Sequence, residues 1–292
     1  SCAECNGGRP RARVEGRVSG MSAAERQPAE RFTGRARDYA AGRPSYAQGC
    51  IDSLYAELAH TLPSASVIAD VGSGTGKLAE QLLARGSTVY CVEPNADMRA
   101  QAAERLSCYA GFVSVCGSAD ATTLSDSSCD AVTAAQAFHW FDPLAFRAEC
   151  RRILKSQGRV FLIWNDRDES QPFNRAWHAL FAQFCPQFKG FSGGLQEDDA
   201  RISAFFGSRF HKETFANPLC YDEATFIHRS LSASYSLAAG DAGYGAYVAA
   251  LKALFAAYAE GGRVTVANRT LVYWGAARNA GGVAPGSCTF LR

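Results

Sequence analysis

The strongest constraint on the fold is a glycine-rich segment at residues 70–76, which reads D-V-G-S-G-T-G. It follows an apolar run, S-V-I-A-D-V, and precedes a helical pattern. Glycine readily adopts the backbone dihedrals of a sharp turn, and without a side chain it lets a ligand approach the backbone closely. The segment therefore predicts a buried strand that turns tightly into a helix. Such a turn serves either as a plain connection or as a binding site for a ligand.

Helical and strand patterns alternate through the first part of the chain. Helices are predicted at residues 45–60, 76–85, 95–106 and 143–155. Strands are predicted at residues 66–71, 88–92, 112–116, 131–135 and 160–164. Strands that alternate with helices form a parallel sheet covered on both faces, and the ligand lies at the carboxyl ends of the strands.

After residue 165 the pattern becomes rich in aromatic residues. Helical segments are predicted at 173–184, 200–206, 223–231 and 244–258, with strand-like runs at 210–215 and 264–274. The whole pattern predicts an α/β fold, a Rossmann-like, doubly wound and mainly parallel seven-stranded sheet with helical cap insertions. We expect one domain over residues 31–278, with the cap insertions at about 166–206 and 222–260.

The two ends of the sequence lack apolar periodicity. Residues 1–30 are expected to form a flexible leader, and residues 279–292 a flexible tail. Lys and Arg number 30 against 28 Asp and Glu, which gives a net charge of +2. This balance argues against a dedicated nucleic-acid binder. No apolar run is long enough to cross a bilayer or to form the core of a secretory signal. We expect a cytoplasmic monomer or homodimer that acts on a small molecule, without a nucleic-acid or membrane partner.

Eleven cysteines raise the question of a disulfide or metal framework. The one C-x-x-C pair, Cys2 and Cys5, lies in the expected leader, and no second pair completes a zinc site. The five histidines show no H-x-x-H spacing, so no metal site is predicted. Cys91 and Cys116 fall within predicted buried strands, where cysteine acts as a small apolar residue. The scattered cysteines fit reduced thiols.

The residues around the glycine segment favour one cofactor class. Glu93 ends the second predicted strand, about 20 residues after Gly72, where an acid can accept hydrogen bonds from both hydroxyls of an adenosine ribose. The glycine spacing is G-x-G-x-G, whereas dinucleotide sites have G-x-G-x-x-G/A and this chain has Lys77 at the third position. Asp70 would repel a pyrophosphate but attract the ammonium group of a methionyl moiety. This pattern favours S-adenosylmethionine over NAD or FAD.

Several segments, in order, resemble the class I S-adenosylmethionine-dependent methyltransferases. Residues 67–76, V-I-A-D-V-G-S-G-T-G, are similar to the first motif of these enzymes. Further segments resemble the type 11 methyltransferase-domain family related to trans-aconitate methyltransferase, at residues 31–46, 92–98, 117–124, 136–142, 230–236 and 269–275. The resemblance implies S-adenosyl-L-methionine as the cofactor and S-adenosyl-L-homocysteine as its product.

The resemblance also implies a set of cofactor-binding positions. It places the methionyl part of the cofactor over Gly72, Gly74 and Gly76, with Asp70 close by, and the ribose on Glu93. The other positions that it implies are Pro94, Met98, Ala119, Asp120, Gln136 and Ala137, together with Tyr39 and Arg43 in an N-terminal lid. For Arg43, a structural turn with Pro44 is the alternative.

Candidate catalytic and acceptor-binding residues follow the fourth strand and lie in the cap insertions. His139 is a candidate general base, because its ordinary pKa suits proton transfer near neutral pH; the alternative is that it packs against the cofactor. Arg229 can bind a carboxylate bidentately, or it is an exposed helix arginine. The other candidate acceptor residues are Trp140, Trp164, Ser234 and Tyr235.

The expected activity is in-line methyl transfer to a small-molecule acceptor, a carboxylate or another oxygen nucleophile. Two alternatives stay open at the level of sequence. One is an NAD(P)-dependent oxidoreductase, and the other is a protein that binds S-adenosylmethionine without catalysis.

Overall fold

A computed structural model describes residues 44–59, 66–191, 199–207, 209–233 and 235–277. The helices are α1 (Gln48–Ala59), α2 (Lys77–Leu83), α3 (Ala96–Leu106), α4 (Pro143–Ile153), α5 (Pro172–Phe184), α6 (Ala200–Phe206), α7 (Glu223–Leu231) and α8 (Tyr244–Tyr258), with a 3-10 turn at Phe138–Trp140. The strands are β1 (Val67–Val71), β2 (Thr88–Val92), β3 (Phe112–Val115), β4 (Cys129–Ala135), β5 (Leu154–Arg167), β6 (His211–Ala216), β7 (Leu219–Tyr221), β8 (Val264–Val266) and β9 (Asn268–Gly275).

Seven strands form the main sheet in the order β3-β2-β1-β4-β5-β9-β6. The first five strands are parallel, whereas β9 runs antiparallel to both β5 and β6. The predicted doubly wound, mainly parallel seven-stranded sheet is therefore confirmed. The dinucleotide-binding order 3-2-1-4-5-6 continues with a sixth strand beside β5. Here β9 is inserted at that place, between β5 and β6.

The two faces of the sheet are covered by different helices, because successive side chains of a strand point to opposite faces. Ile68 packs with α1, α2 and α3, whereas the adjacent Ala69 packs with α4 and α6. On β5, Phe161 likewise packs on the same face as Ile68, and Leu162 packs on the same face as Ala69. Continuous apolar strands such as V-I-A-D-V are typical of a sheet buried on both faces.

A third group of buried residues, here called the cap cluster, joins α5, α7, α8 and a small sheet of β7 and β8. Its largest side chains include Trp177, Phe226 and Tyr247. Helix α6 lies within the predicted cap insertion 166–206, yet its residues Ile202 and Phe205 pack on the main sheet. The division of the chain into one domain with two cap insertions stays a prediction.

Three of the differences between predicted and observed bounds have a clear structural reason. The helix predicted to residue 155 ends at Ile153, because Leu154 already pairs with Cys129. The run 160–164 is the middle of a longer strand, β5. The run 264–274 is two strands that meet at Ala267 and belong to different sheets, and β7, the partner of β8, was not predicted.

Cysteine placement differs from the prediction at one position. Cys91 is buried as predicted, but Cys116 is exposed, because β3 is an edge strand and ends before it. All eight cysteines in the described ranges are free thiols. Within those ranges no helix is long and apolar enough to cross a membrane, and no three His, Cys, Asp or Glu side chains cluster as metal ligands. The expected leader and tail, residues 1–30 and 279–292, lie outside the described residues.

The loop after β3 is anchored to α4 by one buried carboxylate. Glu149 Oε1 accepts hydrogen bonds from the backbone N–H and the hydroxyl of Thr122, at 2.8 and 2.5 Å. Arg152 donates to both oxygens of Glu149. The Arg152 bonds, together with those from Thr122, hold the pKa of Glu149 at about 2, against the opposing effect of burial. The loop that contains Ala119 and Asp120 is thus fixed by charge-assisted bonds.

We expect Glu149→Gln to lower the free energy of unfolding by about 1–3 kcal/mol at pH 7, because it removes charge-assisted bonds to buried groups. The folded pKa is depressed, so this stabilisation is present above the unfolded pKa of about 4.3 and is lost as the pH falls toward 2. The difference in urea unfolding between the two proteins should therefore shrink from pH 7 to pH 3. Glu104→Gln, at an exposed site on α3, is the control. A loss of stability equal to that of the control would contradict the anchor.

Candidate cofactor-binding site

The glycine-rich turn is clamped between the ends of β2 and β4. The Gly72 N–H donates to the Val92 carbonyl at 2.8 Å. Gly72 has a φ of +69°, and a Cβ atom there would lie 2.7 Å from the Ala137 Cβ and 3.0 Å from the Phe141 ring. A larger residue would therefore be strained and would also clash. Ala137, implied by the resemblance as a cofactor position, supports the turn directly.

At Gly74 the position of a side chain is open space, whereas at Gly72 it is filled by neighbouring residues. Its φ is +55°, and a Cβ atom built there would meet no atom within 4 Å. Its N–H donates to Glu93 Oε2 at 3.0 Å. A ligand can therefore lie against the backbone at Gly74. Gly76, the third predicted glycine, is the residue before α2 and has a φ of +80°.

Glu93 is held at the end of β2 by backbone donors. Its Oε1 accepts the Asn95 N–H at 2.9 Å, and its Oε2 accepts the Gly74 N–H. Burial raises the pKa of Glu93, and these bonds partly offset that rise. Each carboxylate oxygen has two lone pairs, so Glu93 can accept further bonds from ribose hydroxyls. The glycine turn and the Glu93 carboxylate are thus joined by a hydrogen bond into one unit.

Asp70, at the end of β1, is a buried carboxylate with one unsatisfied oxygen. The side chain is 1% exposed. Its Oδ1 accepts the Thr133 hydroxyl at 2.8 Å, while Oδ2 has no hydrogen-bond partner among the described residues. Burial raises the pKa of Asp70 to about 7, and Glu93 raises it further, whereas the Thr133 bond lowers it. A buried acceptor without a donor is costly, so the site suits a cationic donor.

The segment after Glu93 is fixed by a helix cap and an arginine. The Asn95 side chain accepts the Met98 N–H at 3.0 Å and caps α3. Arg99 donates to the carbonyls of Glu93 and Pro94, each at 2.8 Å. Met98 is buried, whereas Pro94 is exposed. These contacts leave the backbone after β2 rigid at the ribose position.

The loop after β3 contributes the remaining implied adenine positions. Ala119 is half-buried and packs against the main core, and Asp120 is exposed. The Ser118 hydroxyl donates to Asp120 at 2.6 Å.

The end of β4 carries an unusual backbone. Gln136 has a φ of +55°, and its Nε2 donates to the Asn165 carbonyl at 2.8 Å. The following 3-10 turn places the half-buried His139 beside Trp140, with ring centroids 4.8 Å apart. The His139 carbonyl accepts a hydrogen bond from Arg201 at 3.2 Å. Trp140 is 41% exposed. The role of His139 as a general base stays a prediction.

The structure does not bring the candidate acceptor residues together as one group. Trp164 is 2% exposed and packs in the core, edge-on to Phe138 and Tyr273. Its side chain is thus part of the core, and its role in acceptor binding stays a prediction. Arg229 and Tyr235 lie on the cap side, and both interact with Arg167. Tyr39, Arg43 and Ser234 lie outside the described residues.

Two residues near the carboxyl ends of β4 and β5, Thr133 and Arg167, were not predicted from the sequence. Arg167 ends β5, and its guanidinium contacts the cap cluster. The available signal was weak: Arg167 stands three residues after the predicted strand 160–164, at the edge of the sheet where ligands bind. Thr133 lies on β4 opposite Asp70, and nothing in its own surroundings marks it.

The residues present fit S-adenosylmethionine. Asp70 offers an unsatisfied oxygen for the methionyl ammonium, Gly74 an open backbone, and Glu93 spare acceptors for the ribose hydroxyls. All three lie at the carboxyl ends of adjacent parallel strands, where ligands of such sheets bind.

Comparison with known proteins finds similarity to methyltransferases. A family described as "Methyltransferase domain" matches residues 69–162. An uncharacterized methyltransferase of Mycobacterium tuberculosis (strain H37Rv) is 38% identical over 150 residues, 51% of this chain and 58% of that protein. The chain thus spans less than two thirds of the length of that relative.

Two further comparisons cover more of the chain. An uncharacterized methyltransferase-like protein of Schizosaccharomyces pombe is 32% identical over 214 residues, 68% of this chain and 77% of that protein. A solved structure of a candidate type II methyltransferase from Anaeromyxobacter dehalogenans has a TM-score of 0.56 and covers 80% of this chain and 98% of that one. At 19% identity it supports the fold alone. The link to trans-aconitate methyltransferase stays a prediction.

Because a methyltransferase domain model matches residues 69–162 and a methyltransferase-like relative is 32% identical over 68% of the chain, the chain belongs to the class I S-adenosylmethionine-dependent methyltransferases.

Proposed function

We propose that this chain transfers the methyl group of S-adenosylmethionine to a small-molecule acceptor through an oxygen nucleophile such as a carboxylate. The observation that carries this proposal is the unsatisfied buried oxygen of Asp70, next to an open glycine turn that is bonded to Glu93. A carboxylate in that place favours a cationic ligand group.

The chain's own residues would bind and orient the cofactor. Asp70 would accept the methionyl ammonium, and Glu93 the two ribose hydroxyls. The bound cofactor supplies a methyl group on a sulfonium, a leaving group that needs no protonation. The protein therefore contributes mainly alignment and the exclusion of water.

The acceptor determines whether a base is needed. An ionised carboxylate can attack without losing a proton, whereas a base must first remove a proton from a phenol or an amine. We propose His139 as the base that removes this proton. It lies in the 3-10 turn that follows the end of β4.

The two alternatives are less well supported. An NAD(P)-dependent oxidoreductase would place a pyrophosphate at the glycine turn, where the carboxylate of Asp70 would repel it. Its sheet would also not carry β9 beside β5. A binding protein without catalysis would share the cofactor site and would differ only in turnover.

We expect S-adenosylhomocysteine to form when the protein is incubated with S-adenosylmethionine and a panel of carboxylic acids, phenols and thiols, with carboxylic acids as the productive class. Mass spectrometry of the products measures the transfer. RNA is the negative control. Tight cofactor binding without product from any class would favour the non-catalytic alternative.

Cofactor binding should depend on pH through Asp70. The ammonium group pairs with the ionised carboxylate, and the free protein has an Asp70 pKa of about 7. Affinity for S-adenosylhomocysteine should therefore weaken about tenfold from pH 8 to pH 6, as Asp70 becomes protonated. Asp70→Asn should weaken binding at pH 8 by about 10- to 100-fold and remove this dependence. Isothermal calorimetry at the two pH values measures both effects.

A matched ligand separates the two carboxylates. Methylthioadenosine has the ribose and adenine but lacks the ammonium group, so Asp70→Asn should leave its affinity nearly unchanged. Glu93→Gln should weaken the binding of both S-adenosylhomocysteine and methylthioadenosine, since it alters ribose recognition and the bond to the Gly74 N–H. If Asp70→Asn lost affinity for both ligands equally, the assigned role of Asp70 would be contradicted.

A further inference from the structure

Arg167 lies at the carboxyl edge of the main sheet, on the side of β4 away from the ribose acid. It is the last residue of β5, two positions after Asn165, whose carbonyl accepts the Gln136 side chain. In the order β2-β1-β4-β5, three strand spacings separate it from Glu93, or about 14 Å. Arg167 is thus beyond the strand ends proposed to hold the cofactor.

The guanidinium of Arg167 is seated on aromatic rings of the cap. Its central carbon lies 4.3 Å from the ring centroid of Trp177 and 4.0 Å from that of Phe191. Cation–π contacts of this kind hold a guanidinium without neutralising it. Burial lowers the pKa of Arg167, and the Tyr235 phenol beside it partly offsets the effect. The charge is therefore fixed in position but not balanced.

A second arginine faces the same place from α7. Arg229 lies three residues after Phe226, on the same side of the helix, and Phe226 packs on Trp177 with ring centroids 5.0 Å apart. The Nε of Arg229 is buried without a hydrogen-bond partner among the described residues. Burial is the main cause of the lowered pKa of Arg167, and repulsion from Arg229 lowers it further.

Neither arginine has an acidic partner in the described part of the chain. Other arginines differ in this respect: Arg152 pairs with Glu149, and Arg269 pairs with Asp166. Two neighbouring cations without a counter-charge repel each other and are costly to bury. A bound anion would remove that repulsion, and planar guanidinium groups suit a carboxylate because they bind it bidentately.

We propose that Arg167 and Arg229 together form a carboxylate-binding site for the methyl acceptor. This inference rests on the proposed function and adds the two residues that select the acceptor. The carboxylate they hold anchors the acceptor between the cap and the end of β5. The methionyl carboxylate of the cofactor is the other source of the same chemical group, and the test separates the two.

The test uses Arg167→Gln and Arg229→Gln, with Arg85→Gln as the matched control, because Arg85 forms a surface ion pair with Asp52 on another part of the chain. Each protein, saturated with S-adenosylhomocysteine, is titrated with benzoate and succinate and with their uncharged amides. We expect the carboxylates to bind the wild-type protein and Arg85→Gln. Both site variants should lose at least tenfold in affinity, and the amides should bind none of the four proteins.

Three further readouts make the test decisive. The affinity of each variant for S-adenosylhomocysteine should stay within about twofold of the wild type. Both variants should keep a cooperative melting transition in the ligand-free state, which shows that they fold, and Arg229→Gln, which removes one of two repelling charges, should have an unchanged or raised melting temperature. Arg167→Lys should retain only part of the carboxylate affinity, since it keeps the charge but loses the planar fork.

Failure of this inference differs from failure of the proposed function. If the variants lose affinity for S-adenosylhomocysteine but not for methylthioadenosine, the arginines bind the methionyl carboxylate of the cofactor and the inference is wrong. If carboxylates do not bind the wild-type protein, or bind the variants equally well, it is also wrong. If the wild-type protein does not bind S-adenosylhomocysteine at all, the proposed function fails, whatever the arginines do.

Discussion

The close approach of three strand ends at Gly72 is the constraint on which the site depends. Its N–H is bonded to the end of β2, and the space for a side chain is filled by Ala137 after β4. The turn after β1 can therefore pass between its neighbours only if residue 72 is glycine. This passage brings Gly74 within hydrogen-bond distance of Glu93. The cofactor site is thus a direct consequence of how the parallel strands end.

The charges at the carboxyl edge are separated along the strand order. Asp70 lies near the end of β1 and Glu93 follows β2. Arg167 is the last residue of β5, and Arg229 faces it from the cap. Charges that are shielded from water and lack partners are costly, so the proposed cofactor and acceptor sites on the two sides of β4 would each be stabilised by a ligand of opposite charge. A cationic sulfonium cofactor and an anionic acceptor would meet near the end of β4.

The sequence predicted those features whose signals are local. The glycine turn, Asp70 and Glu93 lie within one strand-turn-helix unit and the next strand, so their spacing alone indicates a shared site. Arg167 escaped prediction because the apolar run ends at Trp164. The strand continues to residue 167 only because it pairs with β9, about 100 residues later in the chain. Likewise, the break at Ala267 depends on two different partner strands, β7 and β5. Trp164 shows the remaining ambiguity, since aromatic residues serve equally as core and as pocket lining.

The central claim is that the turn at Gly72 holds S-adenosylmethionine rather than a dinucleotide. Calorimetric titration of the wild-type protein with S-adenosylmethionine, S-adenosylhomocysteine and NAD tests it most directly. We expect saturable binding of both sulfur compounds, with one molecule per chain, and no measurable binding of NAD. Binding of NAD without binding of either sulfur compound would contradict it.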